Sequence, residues 1–331
     1  MEDDVTGGQT LVGERGAAQA RPAPVEARRP LLGVGLVLLA ATLWGTLGTV
    51  YTLTIDNYGL TPLTVVFYRA FFGALALGLW MALRQRDLLR VRRADWLLVG
   101  GYGLLGVTVF YVAYIYAIVL VGVTTAVVLL YTAPAIVALL AWRFLGESLT
   151  GLKLGALALT FAGVILVSGA YDPAHLSGNV LGIVCGVLSA ATYALYSIFG
   201  KLAHQRRLPL ATLLFYTLGI GCLGLLVLLS PAELGAPGAH PESWAILLML
   251  GTVQTLAPVA AYTISLRLLD AGVASIIATL EPVVAGILAF AVLHEPLSGP
   301  EVAGAALILL AVGLLQSGAA RRVTRTPLAE P

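Results

Sequence analysis

The sequence predicts an all-α, polytopic membrane protein: ten transmembrane helices arranged as two inverted five-helix repeats. Three observations carry this. Hydrophobic residues make up 59% of the 331 and charged residues only 11%, less than half of the roughly 25% found in soluble domains. The apolar residues fall in runs of about 20 with short connections, the length that crosses a bilayer as a helix. The pattern then recurs at an offset of 148 residues. Tyr114 falls on Tyr262, Ala126 on Ala274, Pro134 on Pro282, Glu147 on Glu295 and Gly151 on Gly299.

Taken in order, residues 1–29 are polar, rich in Ala, Pro, Arg and acids. They lack the apolar segment of a signal peptide and are expected to form a disordered cytoplasmic tail. Spans are then expected at about 31–53, 62–83, 96–119, 125–143, 150–169, 179–200, 209–230, 244–269, 272–293 and 300–318. Several open on a punctuating proline, as at Thr61–Pro62, Leu208–Pro209 and Gly299–Pro300, where a helix start tolerates the missing N–H. The first repeat covers 30–170 and the second 178–318, with 319–331 a second cytoplasmic tail. An odd number of spans per repeat inserts the two copies upside down relative to each other.

Charge sets the orientation. With the N-terminus inside, every Lys and Arg falls on the cytoplasmic side except Arg69, which lies within the second span. The positive-inside rule then places both termini in the cytoplasm and the chain in the cell inner membrane as a multi-pass protein. Cys185 and Cys222 lie inside apolar runs and read as small packing residues.

The stretch Ala271–Leu297 is long enough to span yet carries Glu281–Pro282 at its middle. An ionisable residue at that depth is costly and marks a functional site by default. Pro282 removes one backbone donor and predicts a kink with the Ala278 carbonyl released. Glu281 reads as a proton-coupling site, an anchor for a substrate ammonium, or a cap for backbone donors at the kink. Arg69, roughly 10 Å deep at 1.5 Å per residue, reads as a clamp for a substrate carboxylate, a structural pairing group, or a side chain that snorkels outward. Trp44, Tyr111, Tyr114, Tyr193 and Tyr262 lie away from the interfacial belts and either line a cavity or pack between helices. Thr42, Thr192 and Gln254 are mid-span polar groups that line the cavity or bond a neighbouring helix. Pro134 and Pro282 mark the helix breaks. Glu147 and Glu295, each just past a broken span, read as structural caps or closing contacts.

The doubled spacing Pro134/Glu147 and Pro282/Glu295, with Trp44–Gly45 and Phe67–Tyr68–Arg69, resembles the drug/metabolite transporter superfamily in its bacterial EamA-type branch. The resemblance covers about residues 31–318. It implies export or exchange of small metabolites, amino acids or drug-like compounds, through a central cavity open to each side in turn. Glu281–Pro282 matches the family's frequent Glu–Pro, whereas the first copy reads Ala133–Pro134, so one half alone supplies the acid.

Other functions are disfavoured. His294–Glu295 lacks the second histidine of a zinc-protease motif and no Walker sequence occurs, so neither an enzyme nor an ATP-driven pump is expected, and no cofactor. The basic run Arg84–Arg93 suits anionic lipid rather than nucleic acid. The expected partners are a small-molecule substrate, protons and membrane lipids. A drug or nucleoside exporter, or a flippase for a lipid or lipid-linked carrier, shares the fold and is the alternative.

Overall fold

A computed structural model describes residues 30–176, 178–293 and 298–324. Its helices are α1 (Pro30–Gly45), α2 (Leu47–Tyr58), α3 (Pro62–Arg84), α4 (Trp96–Gly103), α5 (Phe110–Leu130), α6 (Ala133–Leu145) and α7 (Gly151–Val167). They continue with α8 (Val180–Gln205), α9 (Leu210–Leu226), the short α10 (Pro231–Gly235), α11 (Ser243–Gly251), α12 (Ala257–Ser265), α13 (Ala271–Ala278), α14 (Glu281–Leu293) and α15 (Gly299–Thr324). Six helical stretches are long and apolar enough to cross a membrane, and four shorter apolar helices complete ten spans. No strand occurs among the described residues. Residues 1–29, Glu295 and residues 325–331 lie outside the described part.

Local chemistry sets the boundaries. Thr61 caps α3 by accepting from the Thr64 N–H, with Pro62 in the first turn. Thr150 and Asn179 do the same for α7 and α8. Such caps satisfy donors a helix start would otherwise leave bare. The connection expected between spans three and four is shorter than the sequence suggests. α5 is two helices that meet at the single residue Gly122, whose non-helical φ of 78° and ψ of 163° suit glycine and end the third span there.

The spans are broken in matched places. α5 stops at Leu130 and α6 starts at Ala133; α13 stops at Ala278 and α14 starts at Glu281, one repeat offset later. Two π-helical turns, Leu104–Val109 and Thr252–Leu256, are also one offset apart. A π turn adds a residue to the helix and rotates the side chains beyond it, and such bulges gather at functional sites. The first span runs helically through Thr46, whose N–H bonds Thr42 at 3.2 Å and whose carbonyl accepts from Val50 at 3.3 Å; its hydroxyl donates to the Leu43 carbonyl at 2.7 Å and accepts from Gln254 Nε2 at 2.7 Å.

Packing respects the inverted symmetry. α3 packs on α9 and α7 on α15, each against its own repeat-mate, while α1 packs on α12 and α8 on α5. The α7–α15 crossing is so close that a Cβ on Gly163 would lie 2.7 Å from the Gly304 carbonyl oxygen. Small residues permit this approach where lipid offers no hydrophobic drive.

The two ends of the bundle differ in charge. All described Lys and Arg except Arg69 belong to one end, at Arg84–Arg93, Arg143, Lys153, Lys201–Arg207, Arg267 and the C-terminal end of α15. Contacts across this basic end show that several of these segments meet: Arg92 Nη2 donates to the Arg206 carbonyl at 2.9 Å and Thr212 Oγ1 to that of Leu88 at 2.7 Å. At the opposite end, Tyr68 donates to the Leu234 carbonyl at 2.6 Å and Thr61 to Glu233 Oε1 at 3.2 Å.

Candidate functional site

The site is built where the first span meets the two broken ones. Glu281 is the first residue of α14, immediately after the break at Thr279–Leu280. On the other side, a Cβ added to Gly45 would lie 2.8 Å from the Glu281 carbonyl oxygen, so the end of α1 is in direct contact with that turn. Between these segments and α3, α5 and α8 lies a cavity of about 370 Å³, within the roughly 300–1,000 Å³ range of small-molecule sites. Its wall is largely apolar and aromatic, with Trp44, Phe110, Tyr114, Tyr193 and Tyr196 on it and two charged residues, Arg69 and Glu281.

Arg69 is held by hydroxyls. Its Nε donates to Thr255 Oγ1 at 2.8 Å, Nη1 to Tyr51 at 3.3 Å and Nη2 to Tyr111 at 3.0 Å. The guanidinium also stands 5.6 and 5.2 Å from the Tyr51 and Tyr111 ring centres, where the ring quadrupole attracts a cation. The π turn in the eighth span makes one of these contacts. There the Thr255 hydroxyl donates to the Leu250 carbonyl five residues back, at 2.7 Å, which leaves its lone pairs for Arg69. A guanidinium has five N–H groups, so two remain for a ligand. Among the described residues no carboxylate lies within ion-pair distance of Arg69, and no Lys, Arg or His within that distance of Glu281. Tyr131, on the first break, lines the same walls as Glu281.

Six of the sequence-predicted residues meet on this wall: Glu281, Arg69, Trp44, Tyr111, Tyr114 and Tyr193, together with Pro282. Pro134 lines a smaller adjoining pocket. Tyr262 does not line the large cavity. It is fully buried on the basic side, shares a 2.9 Å hydrogen bond with Ser197 and packs 5.6 Å from the Trp44 ring. Gln254 bonds Thr46 instead, and Thr192 donates back to its own helix at Leu188 and Ser189. Thr42 is exposed on the outside of the first span. Tyr51, Tyr131, Tyr196 and Thr255 belong to the site but were not singled out by sequence reasoning. Tyr131 was findable, since it sits one offset before Thr279 and three residues before Pro134.

The cavity occupies the half of the bundle away from the basic end. Val123 and Gly48 on its wall are both exposed, so it reaches the surface there. The basic end is closed by Glu147. Its carboxylate accepts from the Ala271 and Gly272 N–H groups at 2.7 and 3.3 Å, at the start of α13. Lys153 lies 3.6 Å and Lys201 3.9 Å from that carboxylate, and Lys153 also pairs with Asp270 at 2.9 Å. Lys201 donates to the Leu269 carbonyl at 2.5 Å. One residue after α6 is thereby tied to α7, α8 and the α12–α13 connection.

The sequence model of a family described as "EamA-like transporter family" matches residues 31–169 and 180–316. An "uncharacterized transporter" from Archaeoglobus fulgidus is 31% identical over 284 residues, covering 85% of this chain and 94% of its own. The "uncharacterized transporter YwfM" of Bacillus subtilis is 28% identical over 295 residues, with 88% and 95% covered. A solved structure titled "Crystal structure of protein" superposes with a TM-score of 0.70 at 21% identity, covering 88% of this chain and 98% of that one, a likeness of fold.

Proposed function

The chain belongs to the EamA-like transporter family, and from that premise we propose that it exports or exchanges a small zwitterionic or weakly amphipathic metabolite, such as an amino acid, by alternating access. The observation that carries this reading is the presence of one guanidinium and one carboxylate, neither ion-paired among the described residues, on the wall of a single aromatic cavity of about 370 Å³. A substrate carboxylate takes the two free N–H groups of Arg69 as charge-assisted hydrogen bonds. A substrate ammonium takes Glu281 and the faces of the neighbouring rings. Apolar walls accept the remainder of the molecule.

In this reading the positive-inside rule puts the basic end in the cytoplasm, and the cavity is open to the outside. Glu281 exchanges a proton for substrate as the cavity alternates. No lysine lines the cavity, which disfavours phosphorylated cargo. The same fold serves drug or nucleoside exporters and lipid flippases, and a transport assay separates them.

The test is efflux of a labelled amino-acid panel from proteoliposomes, with and without a pH gradient, beside Glu281→Gln. Transport driven by the gradient only in the unmutated protein supports the reading. Equal, pH-indifferent transport in both makes the carboxylate structural. A panel that does not move while drugs, nucleosides or lipids do overturns the substrate class.

A further inference from the structure

Between the two proline breaks lies a second pocket of about 20 Å³, room for one water-sized occupant. We propose that it is a binding site for a monovalent cation, sodium, seated against Glu281.

The backbone supplies the first ligands. A helical carbonyl normally accepts from the N–H four residues on. For Leu130 that residue is Pro134 and for Ala278 it is Pro282, and neither has an N–H to give. For Tyr131 and Thr279 the expected donors turn elsewhere: the Ala135 N–H goes to Thr132 at 3.1 Å and the Val283 N–H to Leu280 at 3.0 Å. Four carbonyls are thus released, two per repeat, and among the described residues none accepts another hydrogen bond. All four residues line the small pocket. Released carbonyls in apolar surroundings are costly unless something satisfies them.

The side chains add acceptors. Glu281 contributes its carboxylate, and Ser275 and Thr279 line the same pocket. Both hydroxyl protons are already spent, on the Gly272 carbonyl at 3.0 Å and the Ile276 carbonyl at 2.5 Å, so their free capacity is lone pairs. Two half-helices, the end of α5 and all of α13, also terminate here, and a helix C-terminus carries partial negative charge. A water has two protons to offer this set of oxygens, whereas a hard cation takes five or six oxygens at once. Unwound carbonyls and half-helix C-termini are how membrane carriers coordinate sodium. The cation of the large cavity, Arg69, does not line the small pocket, while Leu130, Tyr131, Tyr193 and Glu281 line both. An ion in the small pocket is therefore one carboxylate away from the substrate.

This deepens the transport reading by naming the ion that neutralises Glu281 when no proton does; its role in coupling rests on that reading, its binding does not. The test is therefore binding without substrate. The full chain, purified in nanodiscs, is melted across a sodium series with choline at constant ionic strength, and retention of radioactive sodium is measured alongside. Expected is a saturable rise in Tm of about 3 °C with stoichiometric sodium retention, both lost in Glu281→Gln. Ser275→Ala should weaken apparent affinity about tenfold. Pro282→Ala returns an N–H to Ala278 and should weaken it while raising the sodium-free Tm, which keeps the test informative if Glu281→Gln does not fold. Identical melting in sodium and choline with no retained sodium overturns the proposal. Immobility of the amino-acid panel would leave a positive binding result standing.

Discussion

Arg69 is a cation made tolerable in an apolar span by hydroxyls rather than by an acid. Tyr51, Tyr111 and Thr255 each take one N–H in a planar fork, a geometry lysine cannot reproduce. Arg69→Lys should therefore raise the KM for a carboxylate substrate about tenfold or more, the loss of a charged hydrogen bond of roughly 1.5–3 kcal/mol, with smaller effects on a substrate amide. Glu147 acts on backbone instead: Glu147→Ala removes the cap on α13 and should cost about 1–2 kcal/mol, read as a lower Tm. Glu233, in the exposed segment before α11, has its carboxyl held below the ordinary glutamate range by the Ser230 backbone and hydroxyl, then by Thr61. A depressed pKa stabilises above the unfolded value and is lost as pH falls through the folded one. Hydrogen-exchange protection factors at 230–235 should be high at neutral pH and fall as pH drops below the ordinary glutamate range, whereas Glu233→Gln should show no such step. Arg69 and Glu281 were legible from sequence because charge within an apolar run stands out. Tyr51 and Thr255 were not, because a tyrosine or threonine in a span looks the same whether it holds an arginine or packs against lipid.

Helix breaks and π turns set the directions in which these side chains point. The prolines at 134 and 282 announced the breaks, and the structure puts them two residues upstream, at Tyr131–Thr132 and Thr279–Leu280. The paired π turns left no mark on hydropathy, which registers how apolar a segment is and not how many residues complete a turn. The Gln254–Thr46 hydrogen bond was equally silent, since it joins the eighth span to the first. The α7–α15 crossing gives the element-scale prediction. A Cβ on Gly304 would stand 2.5 Å from the Gly163 carbonyl oxygen, and backbone cannot yield as a side chain can. Gly304→Ala should destabilise by about 1–3 kcal/mol by thermal melting, while Gly313→Ala, where a Cβ meets nothing, should be neutral.

Across the whole molecule, ten spans, two repeats and a basic end all derive from composition, periodicity and the placement of arginines. The depth of the cavity and the identity of the closed end were hidden from the sequence, because both depend on contacts between repeats. The closed end rests on Glu147, and accessibility should show it. In a background lacking Cys185 and Cys222, Val123→Cys on the cavity wall should label quickly with an impermeant thiol reagent. Ala138→Cys, buried against Gly272, should label slowly until Glu147→Gln opens that end.

The repeats share a backbone plan but not their charges, for Glu281 faces Ala133 at the equivalent position. Exchanging the roles of the two halves would reproduce the shape of the opposite state and not its electrostatics. Each elementary charge that shifts through the full membrane field changes energy by about 2.3 kcal/mol per 100 mV. A carrier symmetric in form and lopsided in charge should therefore behave as a rectifier. Its forward and reverse fluxes should respond unequally when the voltage is reversed, and Glu281→Gln should flatten the difference.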